Sequence, residues 1–548
     1  MPTFITALII ILGGVSAMIA YSVMQRRKND CYIRSSYGQP RDDAEDIKDR
    51  FGLIEQLYLT ESDDIPEEEL IDDITWDDLG MDDVFAAADH TDCCAGEQYL
   101  YSRLHRPFAA GADSAAFEER TAFFDGDEEK RFTVRKKLSA FGKNVSDYDI
   151  PLISLGMKAL KIKSAPLAAI LFTTLTISAA TALITGKAEY ITLFAANYLV
   201  NIAVHFVLKR KADAAVKMVF GIGRMLNTAD SVCKAAPEKG IPEKLSPLSG
   251  AMRISSLLES KTSNDTSGDP SLLFAYLLAP FMADILLGAM LLSKLSDKSS
   301  EILDIYRFLG RTDAAIAVGS YRKSLSICCK AERTGSDGFS FGGLVHPLLK
   351  KPVPNDITFE RNIIVTGSNA SGKSTFIKAV AVNLLLGQTI NTCTARTAVI
   401  PECGIITSMA VRDDVISGES YYIREIRYLR RMVELCGKGR LLFLAVDEIL
   451  KGTNTAERIA ASKAILEYLG KRRCMLMTAT HDLELAESFS ESCDNIHFSE
   501  DLTDDDVKFD YILRQGISTS TNAIKLLGVT GFPADIISRA EEYKSSAQ

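Results

Sequence analysis

Eleven cysteines are spread over 548 residues without a single C-x-x-C pair, so neither zinc-ligand spacing nor a disulfide framework is present. The adjacent pairs Cys93-Cys94 and Cys328-Cys329 read as reduced, mostly buried thiols of a cytosolic compartment. Positive charge is also in short supply. The formal charge is −10, and from Glu61 to Asp83 twelve acidic residues meet no Lys or Arg. That balance excludes a global electrostatic drive toward nucleic acid, so any contact with DNA phosphates must be local. One hydrophobic core does not fill a chain of this length, and two or more domains are expected.

Charge of either sign is missing from three long stretches. Residues 3–24 carry none, and Arg26-Arg27-Lys28 follow at once. The run is long enough to span a bilayer. Its positive charges come after the apolar part, the reverse of a cleaved signal peptide. An uncleaved anchor over 1–28 with its N-terminus outside satisfies the positive-inside bias. Ala165–Thr185 and Tyr190–Leu208 are likewise uncharged and are separated only by Gly186-Lys187-Ala188-Glu189. Lys158, Lys161 and Lys163 precede them and Lys209, Arg210 and Lys211 follow, which predicts a transmembrane hairpin over 165–208 with both ends cytosolic. The other reading is a buried helical hairpin of a large core, disfavoured because soluble helices seldom stay uncharged over a bilayer length. Asn197, Asn201 and His205 share one face of the second run and are expected to be satisfied within the hairpin, since three residues without a carboxylate make a poor relay. A fourth apolar stretch, Leu272–Leu292, contains Pro280 and Asp284. It reads as a buried helix of the soluble part, because a further span would put the C-terminal part outside the cell.

What the chain does contain is concentrated late. Residues 363–375 run Ile-Ile-Val-Thr-Gly-Ser-Asn-Ala-Ser-Gly-Lys-Ser-Thr: a β-branched strand, a G-x-x-x-x-G-K-S phosphate loop and the start of an apolar helix. Gly367 and Gly372 let backbone N–H groups curl around a polyphosphate at a helix N-terminus. With them Ser368, Asn369, Ala370, Ser371, Lys373, Ser374 and Thr375 form the candidate ATP cradle, in which Lys373 reaches the outer phosphates and the Ser374 hydroxyl suits Mg²⁺. Leu441 to Val446 reads as a buried parallel strand delivering two carboxylates, Asp447 for the Mg²⁺ shell and Glu448 to polarise the attacking water. A further strand, Cys474 to Thr480, delivers His481, placed to sense or position the γ-phosphate.

These motifs, in this order, resemble the ATPase domain of the MutS family of mismatch-repair and recombination proteins. Gly367-Ser368-Asn369-Ala370-Ser371-Gly372-Lys373-Ser374-Thr375 is similar to the family's G-P-N-M-G-G-K-S-T, Asp447 to Thr455 to its D-E-I-G-R-G-T-S-T, and Thr478-Ala479-Thr480-His481 to its F-A-T-H. Asp413 to Tyr422 resembles the D-D-x-x-x-G-x-S-T-F signature whose serine acts across a dimer, a role that falls on Ser420. Val345-His346-Pro347 matches the H-P before the phosphate-loop strand, and Gly516 to Arg539 resembles the last ATPase segment. More weakly, Asp72 to Leu104 and Phe308 to Ala317 resemble the helical core and the return of its lever.

The resemblance implies an α/β P-loop ATPase domain of the ABC type over 336–548. Before it stands an all-α lever and core domain, 70–164 and 209–335, interrupted by the transmembrane hairpin and preceded by an acidic linker, 29–69. It implies ATP and Mg²⁺ as cofactors and a homodimer as the working unit. Membrane lipid and duplex DNA enter as partners, with the cell membrane as location and the ATPase in the cytoplasm. Three features depart from the family pattern. No mismatch-reading domain with a Phe-x-Glu wedge precedes the helical core. Glu419 and Tyr421 replace Arg and Thr around the signature serine, and Leu450-Lys451 replaces Gly-Arg after the acidic pair. The functions in competition are a membrane-anchored MutS-like ATPase acting on mismatched or branched DNA and a mechanochemical membrane ATPase or transport component that does not bind DNA. An ordinary ABC transporter is disfavoured by the missing L-S-G-G-Q. A scaffold that binds ATP without turnover is disfavoured by the intact Glu448.

Overall fold

The computed structural model describes residues 20–21, 23–41, 47–63, 65–236, 238–256, 279–368, 371–409, 421–451, 453–502, 507–518, 524 and 531–546. Most of the expected anchor, residues 1–19, lies outside them. From Asp73 to Ser324 every regular element among the described residues is helical. The main helices of this region are α1 (Asp73–Leu79), α2 (Cys94–His105), α3 (Ser114–Gly126), α4 (Glu128–Phe141), α5 (Ala165–Thr185), α6 (Ala188–Ala235), α7 (Ala283–Leu295) and α8 (Ser299–Ser324).

The helical core is organised by a close crossing of α2 and α8. A Cβ added at Gly310 would stand 2.6 Å from the Ala95 carbonyl oxygen, so only glycine admits this approach. One turn away, the buried Asp313 carboxylate accepts N–H bonds from Asp92 (3.0 Å) and Cys93 (2.8 Å), capping α2 from a neighbouring helix. Beside it Lys143 donates to Asp89 and Glu97, each at 2.8 Å, while the Tyr148 hydroxyl also donates to Glu97. Buried charges persist only when paired in this way.

From this core α5 and α6 rise as a hairpin. Gly186, left-handed at φ 62°, ends α5 and gives its N–H to the Ala182 carbonyl. The 48 residues of α6 continue without interruption from the apolar arm through Lys209-Arg210-Lys211 into the core, about 72 Å at 1.5 Å per residue. The cations change the surroundings of the helix and leave its backbone propensity intact, so no break occurs at 208. The upper half of the hairpin is largely exposed, with Leu183 and Ile184 each 85% accessible. Both helices are long and apolar enough to cross a membrane.

The polar face of α6 is satisfied partly within the hairpin, as expected, with Asn197 reaching Ser178 and Asn201 reaching Leu171, and partly from outside it. Asn201 donates to the carbonyls of Leu171 (3.1 Å) and Pro280 (2.9 Å), and His205 Nε2 meets the Asp284 carboxylate at 3.0 Å. Helical α7 therefore packs against the foot of the hairpin and supplies the missing carboxylate. Spacing along one helix could not reveal a partner 79 residues away. Residues 272–278 of that apolar stretch lie outside the described residues.

After α8 the chain turns to strands: β1 (Glu332–Arg333), β2 (Phe339–Leu344), β3 (Asn355–Phe359), β4 (Ile363–Thr366), β5 (Thr397–Ile400), β6 (Gly404–Ser408), β7 (Leu442–Asp447), β8 (Cys474–Thr480), β9 (Asp494–Leu502) and β10 (Val507–Gln515). A small sheet has the order β1-β5-β2-β3, and the main sheet the order β10-β9-β4-β8-β7-β6. All neighbours in the main sheet are parallel except β10. Buried on both faces, β4, β7 and β8 are near-continuous apolar runs. Helices α9 (Lys373–Ile390), α10 (Tyr421–Leu435), α11 (Thr455–Gly470), α12 (Leu483–Ser488) and α13 (Ala534–Ser546) complete the fold.

Gly310→Ala is expected to destabilise the protein by about 1–3 kcal/mol, the cost of overpacking against backbone that cannot yield. Gly437→Ala, where an added Cβ meets nothing within 4 Å, is expected to stay within about 0.5 kcal/mol of the parent. Thermal melts of the two variants check the pair; equal midpoints would show that the α2–α8 crossing can relax.

Candidate functional site

In a parallel sheet the loops leaving the strands all emerge along one edge, and ligands of such sheets bind there, beyond the carboxyl ends. Here β4 delivers the phosphate loop, β7 the acidic pair and β8 His481, with β4 next to β8 and β8 next to β7. The three motifs, scattered over more than a hundred residues, are brought together by strand order alone.

Gly367 (φ 139°) and Gly372 (φ 100°) hold backbone conformations open to glycine. A Cβ at Gly367 would approach the Phe498 carbonyl oxygen to 2.8 Å, and one at Gly372 would reach the Tyr511 ring at 3.0 Å. The loop is thus a cradle that side chains would fill, which fits a polyphosphate. Ser371 donates its hydroxyl to the Ser368 carbonyl at 2.7 Å, tightening the turn. Lys373 is 3% exposed and its Nζ donates to the carbonyls of Gly367 (2.6 Å) and Ser368 (2.7 Å), which holds the cation over the loop. Thr375 lies in the first turn of α9. Asn369 and Ala370 lie outside the described residues.

Asp447 ends β7 with its carboxylate hydrogen-bonded to Ser374. Burial pushes its pKa up, and the neighbouring Glu448 charge adds to this, against the opposing effects of Ser374 and Lys373. A hydroxyl and a carboxylate are the hard oxygen donors that Mg²⁺ takes, so the pair fits that ion. Among the described residues no group of three or more His, Cys, Asp or Glu is arranged to hold a metal.

Glu448 comes next in a left-handed conformation (φ 61°), as does Leu450 (φ 56°). For residues other than glycine this costs about 1–2 kcal/mol each. The substitution of Leu450 for the usual glycine therefore falls where glycine would be unstrained. Glu448 accepts a hydrogen bond on Oε1 from His481 Nδ1 (3.0 Å) and pairs through Oε2 with Lys451 Nζ (2.6 Å). The His481 hydrogen bond, helped by Lys451, brings its carboxyl down to about 2 despite partial burial. The same contact raises His481 above its ordinary value. Behind them Arg458 clamps Asp482 at 2.8 and 3.0 Å. The arrangement keeps one carboxylate anionic beside a loop built for phosphates.

Ser420 lies outside the described residues, as does the rest of 410–420. The strand leading to it is fixed: Asp78 of α1 accepts from the Thr407 hydroxyl (2.7 Å) and the Met409 N–H (2.8 Å). Two contributors escaped the sequence reading. Lys451 stands three residues after Glu448, a spacing that could have suggested the pair. Tyr511 sits in the irregular stretch of β10 between Phe509 and Leu513, and nothing local marks it.

The His481–Glu448 pair sets a titration. Because His481 is raised, the pair's stabilisation is complete below the ordinary histidine value of about 6.5 and is lost as pH climbs through the folded value. Glu448, being depressed, contributes its share at all pH above about 4.3 and loses it only as pH falls toward 2. With six histidines in the chain, NMR can follow His481 singly: its midpoint is expected above the ordinary value and should fall in Glu448→Gln. A midpoint unmoved by that substitution would sever the link.

Comparison with known proteins supplies a family match for the C-terminal part. Residues 363–548 match the model of MutS domain V. The chain is similar to the DNA mismatch repair protein MutS of Pseudothermotoga lettingae, 30% identical over 268 residues, 46% of this chain and 32% of that protein. It is similar to that of Petrotoga mobilis, 31% identical over 267 residues, 46% of this chain and 31% of that protein. It is also similar to DNA mismatch repair protein MutS 2 of Haloarcula marismortui, 25% identical over 285 residues, 46% of this chain and 30% of that protein. The chain spans about a third of the length of these curated relatives. With a phosphate loop, acidic pair and histidine converging on one sheet edge within the matched region, the C-terminal part has the P-loop ATPase fold of MutS domain V.

Proposed function

We propose that this protein is a membrane-anchored ATPase that binds and hydrolyses ATP in composite sites of a homodimer and passes the resulting movement along helical levers. The observation that carries the reading is the convergence of Lys373, the Ser374–Asp447 pair and the Glu448–His481 pair at the carboxyl ends of β4, β7 and β8. Lys373 and the loop amides hold the phosphates of ATP. Ser374 and Asp447 would hold Mg²⁺, which when bound would neutralise charge on the outer phosphates. Glu448, kept anionic by His481 and Lys451, orients the attacking water and takes its proton. Ser420 of the neighbouring subunit completes the site.

Glu448→Gln is expected to bind ATP as the parent does while turnover falls by two orders of magnitude or more, since the orienting carboxylate is gone. Lys373→Ala is expected to lose nucleotide affinity itself. Equilibrium binding and phosphate release measured side by side check both; unchanged turnover in Glu448→Gln removes the assigned role.

The Pseudothermotoga and Petrotoga relatives are DNA mismatch repair proteins, and duplex DNA at the lever ends is the first candidate for what the movement acts on. A second reading, an ATPase working on the membrane without DNA, is favoured by the exposed apolar hairpin that rises from the lever region. The membrane placement itself, with the ATPase in the cytoplasm, rests on the same hairpin and on the cations at its foot. Solubilised full-length protein titrated with duplex, mismatched and branched DNA at several salt concentrations separates the two. A DNA-acting protein is expected to bind with a steep negative salt slope and to hydrolyse ATP faster when bound. Binding absent at low salt would leave the membrane reading.

A further inference from the structure

The chain leaves β7 through a turn in an unfavourable backbone shape. Glu448 and Leu450, neither of them glycine, are both left-handed, at φ 61° and 56°. Such a turn persists only where its surroundings over-determine it. One end is held by the main sheet, where the Glu448 N–H donates to the Ala479 carbonyl of β8 at 3.0 Å. The other end is held from α10. Glu425 is buried there, and its Oε1 accepts the Lys451 N–H at 3.0 Å.

The middle of the turn is packed by the same helix. Ile449 and Leu450 are buried in one apolar cluster with Leu429 and Met432. Glu425, Leu429 and Met432 stand at i, i+4 and i+7, so one face of α10 carries both the carboxylate and the apolar contacts. The helix is a fixed support, because Arg431 bridges the Thr407 carbonyl (2.8 Å) and the Thr75 hydroxyl (3.3 Å). Burying a carboxylate is costly, and an apolar side chain would pack this face at least as well. The acidic group therefore calls for a use, and the Lys451 N–H supplies one.

What the turn holds in place is the Glu448 carboxylate. It takes His481 Nδ1 on Oε1 and Lys451 Nζ on Oε2, and Lys451 is the residue whose backbone Glu425 fixes. With that acceptor gone, Leu450 and Lys451 can relax toward right-handed backbone, which turns the Lys451 side chain and Glu448 out of register with His481. A misplacement of about 1 Å at a group that orients a reactant costs about 100-fold in rate.

We propose that Glu425 is a positioning residue for ATP hydrolysis: by accepting the Lys451 N–H it holds the left-handed turn that presents Glu448 to the attacking water. The proposal rests on the reading of Glu448 as the water-orienting carboxylate, and its test keeps the two apart. Full-length parent, Glu425→Ala, Glu425→Asp, Glu425→Gln and Glu448→Gln are compared by ATP binding, steady-state turnover and the NMR titration midpoint of His481. Removing the acceptor, or drawing it back by one methylene in Glu425→Asp, is expected to lower kcat by about 10- to 100-fold and leave ATP affinity at the parent value. Glu425→Gln, whose amide oxygen accepts the same N–H, is expected to keep most of the turnover. In Glu425→Ala and Glu425→Asp the His481 midpoint is expected to fall, because the Glu448 contact that raises it loosens; a purely structural role would leave it in place. Should Glu425→Ala accumulate poorly, Glu425→Asp carries the test. Parent-like kcat in Glu425→Asp, or a fall in kcat with the His481 midpoint unmoved, overturns the proposal, while an inactive Glu448→Gln leaves the role of Glu448 intact. Glu425→Gln as slow as Glu425→Ala overturns the acceptor role. ATP affinity lost in step with turnover shows general damage to the site and overturns it too. Full turnover in Glu448→Gln removes the role of Glu448 itself, and the proposal with it.

Discussion

The helix that begins at the phosphate loop is held at both ends, and most of the molecule is arranged around that fact. Its N-terminus is the cradle itself, with Lys373 folded over it. Its C-terminal carbonyls, left unpaired by helix geometry, are taken by three arginines: Arg103 bonds the Thr389 carbonyl, Arg322 those of Ile390 and Asn391, and Arg333 those of Gly387 and Gln388. Cations there also suit the helix dipole. Arg103 belongs to α2 and Arg322 to α8, the two helices whose crossing organises the core. A rod of 18 residues therefore joins the nucleotide loop directly to the helical domain.

A second tie runs along the sheet edge. Asp78 and Thr75 of α1 bond Thr407 and Met409 at the end of β6, and Arg431 of α10 bridges the Thr407 carbonyl and the Thr75 hydroxyl. The segment that carries Ser420 thus leaves from a strand end that the helical domain holds. On the proposed dimeric mechanism, a change at the composite site acts on two mechanical connections to one core. That core passes into α6, whose single uninterrupted course reaches the apolar hairpin. Close packing and paired buried charges, such as Lys143 with Asp89 and Glu97, make the core stiff enough to carry displacement.

The phosphate loop, the acidic pair and the histidine were legible because each is a short run whose residues act together where they stand, and because parallel buried strands announce themselves as apolar runs. The hairpin was legible for a similar reason: missing charge over a bilayer length is a local property. The glycine-only approach at Gly310 gave no such sign, nor did Asp313 capping a helix more than two hundred residues earlier in the chain.

By itself, then, the amino-acid order determined the chemistry available: a cradle, a cation, two carboxylates, a histidine, and two long apolar helices. Tertiary structure decided which of these meet. Strand order put His481 on Glu448, the irregularity in β10 between Phe509 and Leu513 brought Tyr511 over Gly372, and α7 carried Asp284 to His205. Local sequence fixes backbone preference and side-chain type, both short-range. Ionisation, strain and pairing depend on neighbours distant in the chain, and only folding brings those neighbours within a few ångströms.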